Sequence, residues 1–215
     1  MRALIYKNFI YIPIAKNGST TFINFLTEHG WELIELLDFD NDLSQYKLWG
    51  HITDPVARHT KGIVKFLTLF NRVDLLDDPL FQKLCAGTIL DTHSCSIWIT
   101  TKDFVQYPIH WIPLDAKITK WESFPIPAKV LSGNDLTNDF FRENNLDLTI
   151  TDSYIHNQTS DKTNRLREIV DQIKRNHPED TLQCIKHYLE PDMILYSKTL
   201  EYYRNKYLLT NEHNI

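Results

Sequence analysis

The sequence predicts an α/β fold in which a mainly parallel central sheet is flanked by helices in three layers, with a helical C-terminal part. Two patterns carry this. Short apolar runs alternate with helical stripes as far as Leu131, and such alternation favours parallel strands covered on both faces. Beyond that point helical periodicity dominates. The size fits one domain spanning residues 1–215: 42% of residues are apolar and 12% aromatic, enough for a sizeable core. There is no internal repeat and no Gly/Ser- or Pro-rich linker, so no domain boundary is drawn.

The opening reads as two short strands, Ala3–Tyr6 and Phe9–Pro13, around a Lys7-Asn8 turn. A short loop leads into a helix from Thr20 to His29, where Phe22, Phe25, Leu26 and His29 recur at helical spacing and Gly30 stops the run. Trp31–Leu37 reads as a strand, Asp38–Ser44 as an acidic connector and Lys47–Ile52 as another strand. Asp54-Pro55 marks a helix start, because Asp caps and Pro suits the first helical position. Val56, Ile63, Leu67 and Phe70 then form one apolar stripe, and a shorter helix covers Pro79–Ala86. His110–Leu114 and Lys129–Leu131 read as strands; Asp135–Asn144, Lys162–Asn176, Glu179–Tyr188 and Asp192–Tyr207 read as helices.

A formal net charge of -5 argues against a general nucleic-acid binder and requires any anion site to supply its own local positive charge. The three cysteines, Cys85, Cys95 and Cys184, are scattered and odd in number, as in a reducing compartment. The first residues show no secretory leader, and no apolar run is long enough to anchor in a membrane, so the expectation is a soluble cytoplasmic protein. Cysteine and histidine spacings fit no common zinc pattern.

The stretch Phe9–Thr21 carries the chemistry. An apolar strand runs into Ala15-Lys16-Asn17-Gly18-Ser19-Thr20-Thr21 and then into an amphipathic helix. The first turn of a helix presents free N–H groups and a partial positive charge to an anion. Gly18 allows a close backbone approach, Ser19, Thr20 and Thr21 add hydroxyls, and Lys16 adds an ammonium. A Ser/Thr-rich cap on a surface loop has the same residues and no ligand. The nucleotide-triphosphate P-loop is excluded, since the first Gly is missing and the Lys precedes the Gly.

The order Lys-x-Gly-Ser/Thr-Thr at a strand end resembles the 5′-phosphosulfate loop of sulfotransferases, Pro-Lys-x-Gly-Thr-Thr, with Ala15 in place of Pro. Lys47–Arg58 looks like the second signature of that family, a strand ending in Arg-Asp-Pro-x-x-Arg. In the family the first Arg and a Ser eight residues later bind the donor's 3′-phosphate; here those positions hold Thr53 and Lys61, a hydroxyl and a cation with places exchanged. Isolated charges such as Arg58 and Lys61 more commonly form a solvated helix face. Asp91-Thr92-His93 resembles the Asp-x-His of carbohydrate sulfotransferases, Ile118–Phe124 their Ile-Gly-Arg-x-Glu-x-Leu segment, Asn157–Ser160 their Asn-x-Ser/Thr segment and Tyr188–Asp192 their closing Tyr-x-x-Asp. In chain order these matches span roughly residues 9 to 200.

The resemblance implies a P-loop-like fold and the donor 3′-phosphoadenosine 5′-phosphosulfate (PAPS). It implies in-line sulfuryl transfer to a hydroxyl or amine of a carbohydrate or other small acceptor, in a scheme that calls for no metal. Charge develops on the leaving phosphate oxygen, where Lys16 and the loop amides stabilise it. The acceptor also needs a base: His93 first, oriented by Asp91, then His51 at a strand end, then Glu35. Asn17, Gly18, Ser19, Thr20, Thr21, Thr53, Arg58 and Lys61 complete the expected donor site. Acceptor loops are expected at Phe39–Tyr46 and Asp74–Asp103. Acceptor identity and oligomeric state stay open. So do two other readings, a small phosphate-binding kinase and a non-catalytic nucleotide-binding module of the same fold.

Overall fold

A computed structural model describes residues 1–91, 94, 96, 97, 101, 104, 106–120, 129–151 and 160–209. The chain divides into two compact units, each assembled from separate stretches. The first comprises Met1–Thr53, Val105–His156 and Leu195–Ile215, and the second Asp54–Phe104 and Asn157–Ile194. The crossing points carry no linker composition, because each unit is built by the chain returning to it.

The first unit is a mixed α/β layer structure. Its strands are β1 (Arg2–Tyr6), β2 (Phe9–Ile12), β3 (Glu32–Glu35), β4 (Lys47–Ile52) and β5 (Ile109–Pro113), in the order β3-β1-β2-β4-β5. β2 and β4, and β4 and β5, run parallel, with Tyr11 beside Trp49 and Gly50 beside Trp111. β1 is antiparallel to both β2 and β3, with Leu4 opposite Tyr11 and Leu33. The mainly parallel sheet expected from the sequence is instead mixed, with parallel pairing confined to its β2–β4–β5 half. The reason lies in the turn: Lys7 and Asn8 leave only two residues between β1 and β2, and Lys7 adopts a left-handed φ of 54°. So short a connection closes a hairpin, whereas a parallel neighbour needs a crossover of a dozen or more residues. A separate antiparallel pair, β6 (Ile118–Lys120) and β7 (Lys129–Leu131), lies in the same unit.

Helices α1 (Ser19–Glu28) and α4 (Gly133–Glu143) cover this sheet, with the later part of α7 (Glu190–Leu209). Every residue of β2 is buried, consistent with a central strand. Trp49 sits in the middle of the core, 4.7 Å from the Tyr11 ring and 4.9 Å from Phe140, with Phe22, Phe25, Leu26 and Phe141 around it. α4 starts two residues earlier than its apolar pattern indicates. Ser132 caps it and bonds reciprocally with Asp135, a capping box that fixes the first turn.

The second unit holds α2 (Pro55–Leu69), α3 (Pro79–Gly87), α5 (Asp161–Asn176), α6 (Pro178–Cys184) and the first residues of α7. Asp54 and Asp78 cap α2 and α3, each followed by proline at the first helical position; the sequence predicts the first of these starts from Asp54-Pro55 and the second helix from Pro79. Ile63, Val64, Leu67, Phe81, Val170 and Ile173 make its core. The helix expected over 179–188 instead becomes a π-helical segment at Ile185–Leu189 and continues into α7. Pro191 explains the widening: it lacks the N–H that the carbonyl four residues earlier would accept, and its ring crowds that carbonyl. No helix among the described residues is long and apolar enough to cross a membrane.

Two buried histidines, His51 and His59, and the half-buried His110 are held neutral. Burial lowers the pKa of His51 to about 3 and that of His110 to about 4; burial and the charge of Lys174 lower that of His59 to about 3. All lie below the ordinary histidine value of 6.5, so the unfolded chain takes up protons first. Their stabilisation is complete above pH 6.5 and is lost as the pH falls from there towards 4. The expected slope is about 1.4 kcal/mol per pH unit for each histidine. Urea unfolding midpoints at pH 7.5, 6 and 5 should drop steeply at the acid end, and a flat profile down to pH 5 would contradict this burial.

Candidate anion site at the start of the first helix

β2 ends in the core, and the chain turns at once: the Asn17 amide donates to the Ile14 carbonyl at 3.1 Å. Lys16 and Gly18 both take left-handed backbone angles, with φ of 65° and 74°. A left-handed Lys costs roughly 1 kcal/mol, so the surroundings must over-determine this turn. They do so through Asn17, whose side chain is fully buried. Its Nδ2 donates to the His51 carbonyl at 2.9 Å, and its Oδ1 accepts from the Thr53 hydroxyl at 2.7 Å. The loop is thus stapled to the end of β4.

Gly18 is the N-cap of α1, and no side chain caps that end. The amides of Ser19, Thr20 and Thr21 open the helix and have no partner within it. A Cβ on Gly18 would lie 2.6 Å from Leu114 Cδ2, the movable end of a side chain, so it is the left-handed backbone angle that favours glycine here.

A cavity of about 200 Å3 lies beside this turn. Gly18, Thr21 and Phe22 line it from α1, Leu114 from the residue after β5, and Ser132, Gly133 and Asn134 from the start of α4. Two helix N-termini therefore border one space: that of α1 has no side-chain cap and no acidic residue in its first turn, whereas that of α4 is already matched by the Asp135 carboxylate of its capping box. The lining combines hydroxyls and first-turn backbone with the apolar Phe22 and Leu114, which suits a ligand with an anionic and an apolar part. The sequence reading did not include Leu114 or residues 132–134; the Ser132-x-x-Asp135 spacing is the signal that identifies the second helix start.

The remaining predicted residues fall into distinct places. Lys16, half-buried, shares the first unit with the loop, Thr53, His51 and Glu35. His51 is fully buried, with Nδ1 3.3 Å from the Tyr11 hydroxyl, Nε2 3.1 Å from Thr137 Oγ1, and its ring centroid 3.8 Å from that of Phe22. A ring so enclosed, with both nitrogens engaged, is a packing element and is poorly placed to take a proton from a substrate. Thr53 spends its hydroxyl on Asn17, and Asn17 spends its amide on the clamp. Glu35 is exposed at the outer strand β3, 3.1 Å from Arg2 Nε and 3.5 Å from the N-terminal ammonium.

Arg58, Lys61 and Asp91 belong to the second unit. Arg58 is 1% exposed and forms a 2.8 Å ion pair with Asp192, itself 1% exposed; the same carboxylate accepts the Ile97 amide at 2.6 Å. The solvated helix face expected of an isolated charge does not apply to Arg58. Lys61 is half-buried on α2. Asp91 closes a turn in which the Ser94 hydroxyl donates to the Asp91 carbonyl at 3.0 Å. His93, Cys95 and residues 121–124 and 157–159 of the expected motifs lie outside the described residues. Among the described residues no group of three or more His, Cys, Asp or Glu is placed to hold a metal. The chain matches no family model, no curated protein and no solved structure.

A Cβ on Gly133 would lie 2.1 Å from the Leu114 carbonyl oxygen, a backbone atom that cannot step aside without moving β5. Gly133→Ala should therefore lower stability by about 3 kcal/mol, read as a reduced urea midpoint. An unchanged midpoint would show that the two backbones are not in contact.

Proposed function

We propose that the cavity beside Gly18 takes the phosphate end of a nucleotide and that the chain is a PAPS-dependent sulfotransferase with a P-loop-like fold. The observation that supports this reading most is the coincidence of three features: a Lys-x-Gly-Ser-Thr-Thr loop after a buried parallel strand, a left-handed turn that exposes the first amides of α1, and a cavity directly beside them.

In this scheme the acceptor oxygen attacks sulfur in line while the bond from sulfur to the donor's bridging phosphate oxygen breaks. The products are the sulfated acceptor and 3′-phosphoadenosine 5′-phosphate. Negative charge grows on the departing phosphate oxygen. Lys16 and the amides of Ser19–Thr21 offset it there, more strongly than they interact with the uncharged bridging oxygen of the intact donor, which is what lowers the barrier. The acceptor's proton goes to a base, for which the first candidate in the sequence is His93, two residues after Asp91. The acceptor is a hydroxyl or amine of a carbohydrate or other small molecule.

A second reading is favoured by a specific observation. Thr53 and Arg58, two residues of the second signature, are consumed by internal partners. A chain that keeps the loop while these residues of the second signature serve the fold is a nucleotide-binding module without transfer.

Thermal unfolding separates these readings. With 3′-phosphoadenosine 5′-phosphate at 100-fold over its dissociation constant the chain should gain about 2.7 kcal/mol, and ATP with magnesium should give less. Lys16→Ala should leave the unliganded melting temperature in place, weaken that gain and cut turnover by 10²–10³-fold, the order found for one lost charge-stabilising donor. Selective binding without transfer to any acceptor in a panel supports the module. No response to the bisphosphate removes both readings.

A further inference from the structure

The buried polar side chains near the cavity form one directed chain. Thr137 Oγ1 lies 2.7 Å from the Gly133 carbonyl and 3.1 Å from His51 Nε2. A threonine hydroxyl has one proton, and at 2.7 Å two oxygens must share one. The Thr137 hydroxyl therefore donates to Gly133, and His51 Nε2 must be the N–H that donates to Thr137. His51 Nδ1 is then an acceptor, and the Tyr11 hydroxyl at 3.3 Å is its donor. The imidazole is thus fixed as the neutral Nε2–H tautomer, in a sequence that runs from Tyr11 through His51 and Thr137 to Gly133.

The same histidine also holds the other border of the cavity. Its backbone carbonyl accepts the Asn17 side chain, and its ring stacks on Phe22, which lines the cavity from α1. Gly133 lines the cavity from α4.

We infer that His51 is the positioning residue that sets the two borders of the cavity relative to each other: its backbone carbonyl holds Asn17, and its imidazole packs against Phe22 of α1 and bonds Thr137 of α4. This moves His51 from candidate base to a residue acting through Asn17, Phe22 and Thr137. The chemistry favours the assignment. The Thr137 hydroxyl is the hydrogen-bond partner given for His51 Nε2, so its loss leaves a buried N–H unsatisfied and the strain passes to the imidazole and the groups packed on it. For its ligand the inference rests on the function proposed above; for its geometry it does not.

The test is amide hydrogen exchange on the full chain. Thr137→Val keeps shape and removes the hydroxyl. Local loss alone would speed exchange only around 133–137. Positioning through His51 predicts that the amides of residues 17–22, which Thr137 does not bond, also exchange at least about tenfold faster. Thr137→Ser, which restores the hydroxyl, should return both regions to wild-type rates. Wild-type exchange at 17–22 in Thr137→Val overturns the inference. If that variant does not fold, Tyr11→Phe is read in the same way, since it deletes the donor at the far end and keeps the ring; there, unchanged exchange at both 17–22 and 133–137 is the overturning result. Affinity for 3′-phosphoadenosine 5′-phosphate should fall about tenfold in Thr137→Val and recover in Thr137→Ser, following the exchange rates. A wild-type chain that does not bind this probe sinks the proposed function, while the exchange data still decide the role of His51.

Discussion

The first unit depends on how a few polar atoms are satisfied inside an aromatic core. Asn17, His51, Thr53 and Thr137 are nearly or fully buried among Tyr11, Phe22 and Trp49. An amide or hydroxyl buried without a partner costs several kcal/mol. Four such groups would outweigh much of a domain's net stability, which is of order 10 kcal/mol. They are instead bonded to one another and to the backbone, which leaves few alternative arrangements. Apolar packing alone tolerates small shifts of a loop, but a side chain whose amide donor and acceptor both have fixed partners does not. That is why a turn with two consecutive-but-one left-handed residues can persist at the end of β2 and hold the first amides of α1 in place.

The second unit uses a similar device with charge. Arg58 and Asp192 are brought together from positions 134 residues apart, and Asp192 also receives the Ile97 amide. Replacing such a pair by apolar residues is often neutral or stabilising, whereas removing one member is costly. Its value is in specifying which helices meet and where the turn at Ile97 sits. Lys174 shows the same logic: its ammonium, with a pKa lowered by burial to about 8, bonds the Thr60 hydroxyl at 2.8 Å, and that hydroxyl bonds Asp171. A charged residue inside a motif can therefore serve the fold alone, and no spacing rule separates that use from ligand binding.

What was legible in the sequence was local. Asp-Pro pairs at 54–55 and 78–79, Gly30 after α1 and the apolar stripes name most helices, because capping and amphipathicity act within a few residues. Pairing direction was legible only through the length of the 7–8 turn. The division into two units was not, since the chain leaves and re-enters each of them without changing composition. In the site, the loop 15–21 was evident, and so was the importance of His51 and Thr53 as polar residues at a strand end. Their roles were not: whether a buried hydroxyl faces a ligand or an amide is decided by Asn17, a contact across 36 residues. Leu114 and Gly133 were invisible for the same reason, as their contact is set by the convergence of β5 and α4.

Charge poses the remaining constraint on any anion at this cavity. From Asn17 to Tyr46 the sequence contains six acidic residues and no Lys or Arg, and the whole chain carries a net charge of -5. By side-chain count the neighbourhood repels anions, with Lys16 as the local exception in sequence. Backbone dipoles do not enter that count. The start of α1, which lines the space and has no acid in its first turn, contributes roughly half a positive charge that fades within about one turn, while the start of α4 is offset by Asp135. Distant carboxylates in solvent are screened over about 8 Å at physiological salt, while groups beside a partly enclosed cavity are screened much less. The short-range, oriented term thus outweighs the long-range one at the cavity itself, and the acidic surface acts chiefly on approach. In general, an anion site built from backbone N–H groups discriminates by shape and by the placement of those groups rather than by net attraction, which favours a dianion with several oxygens over a simple halide.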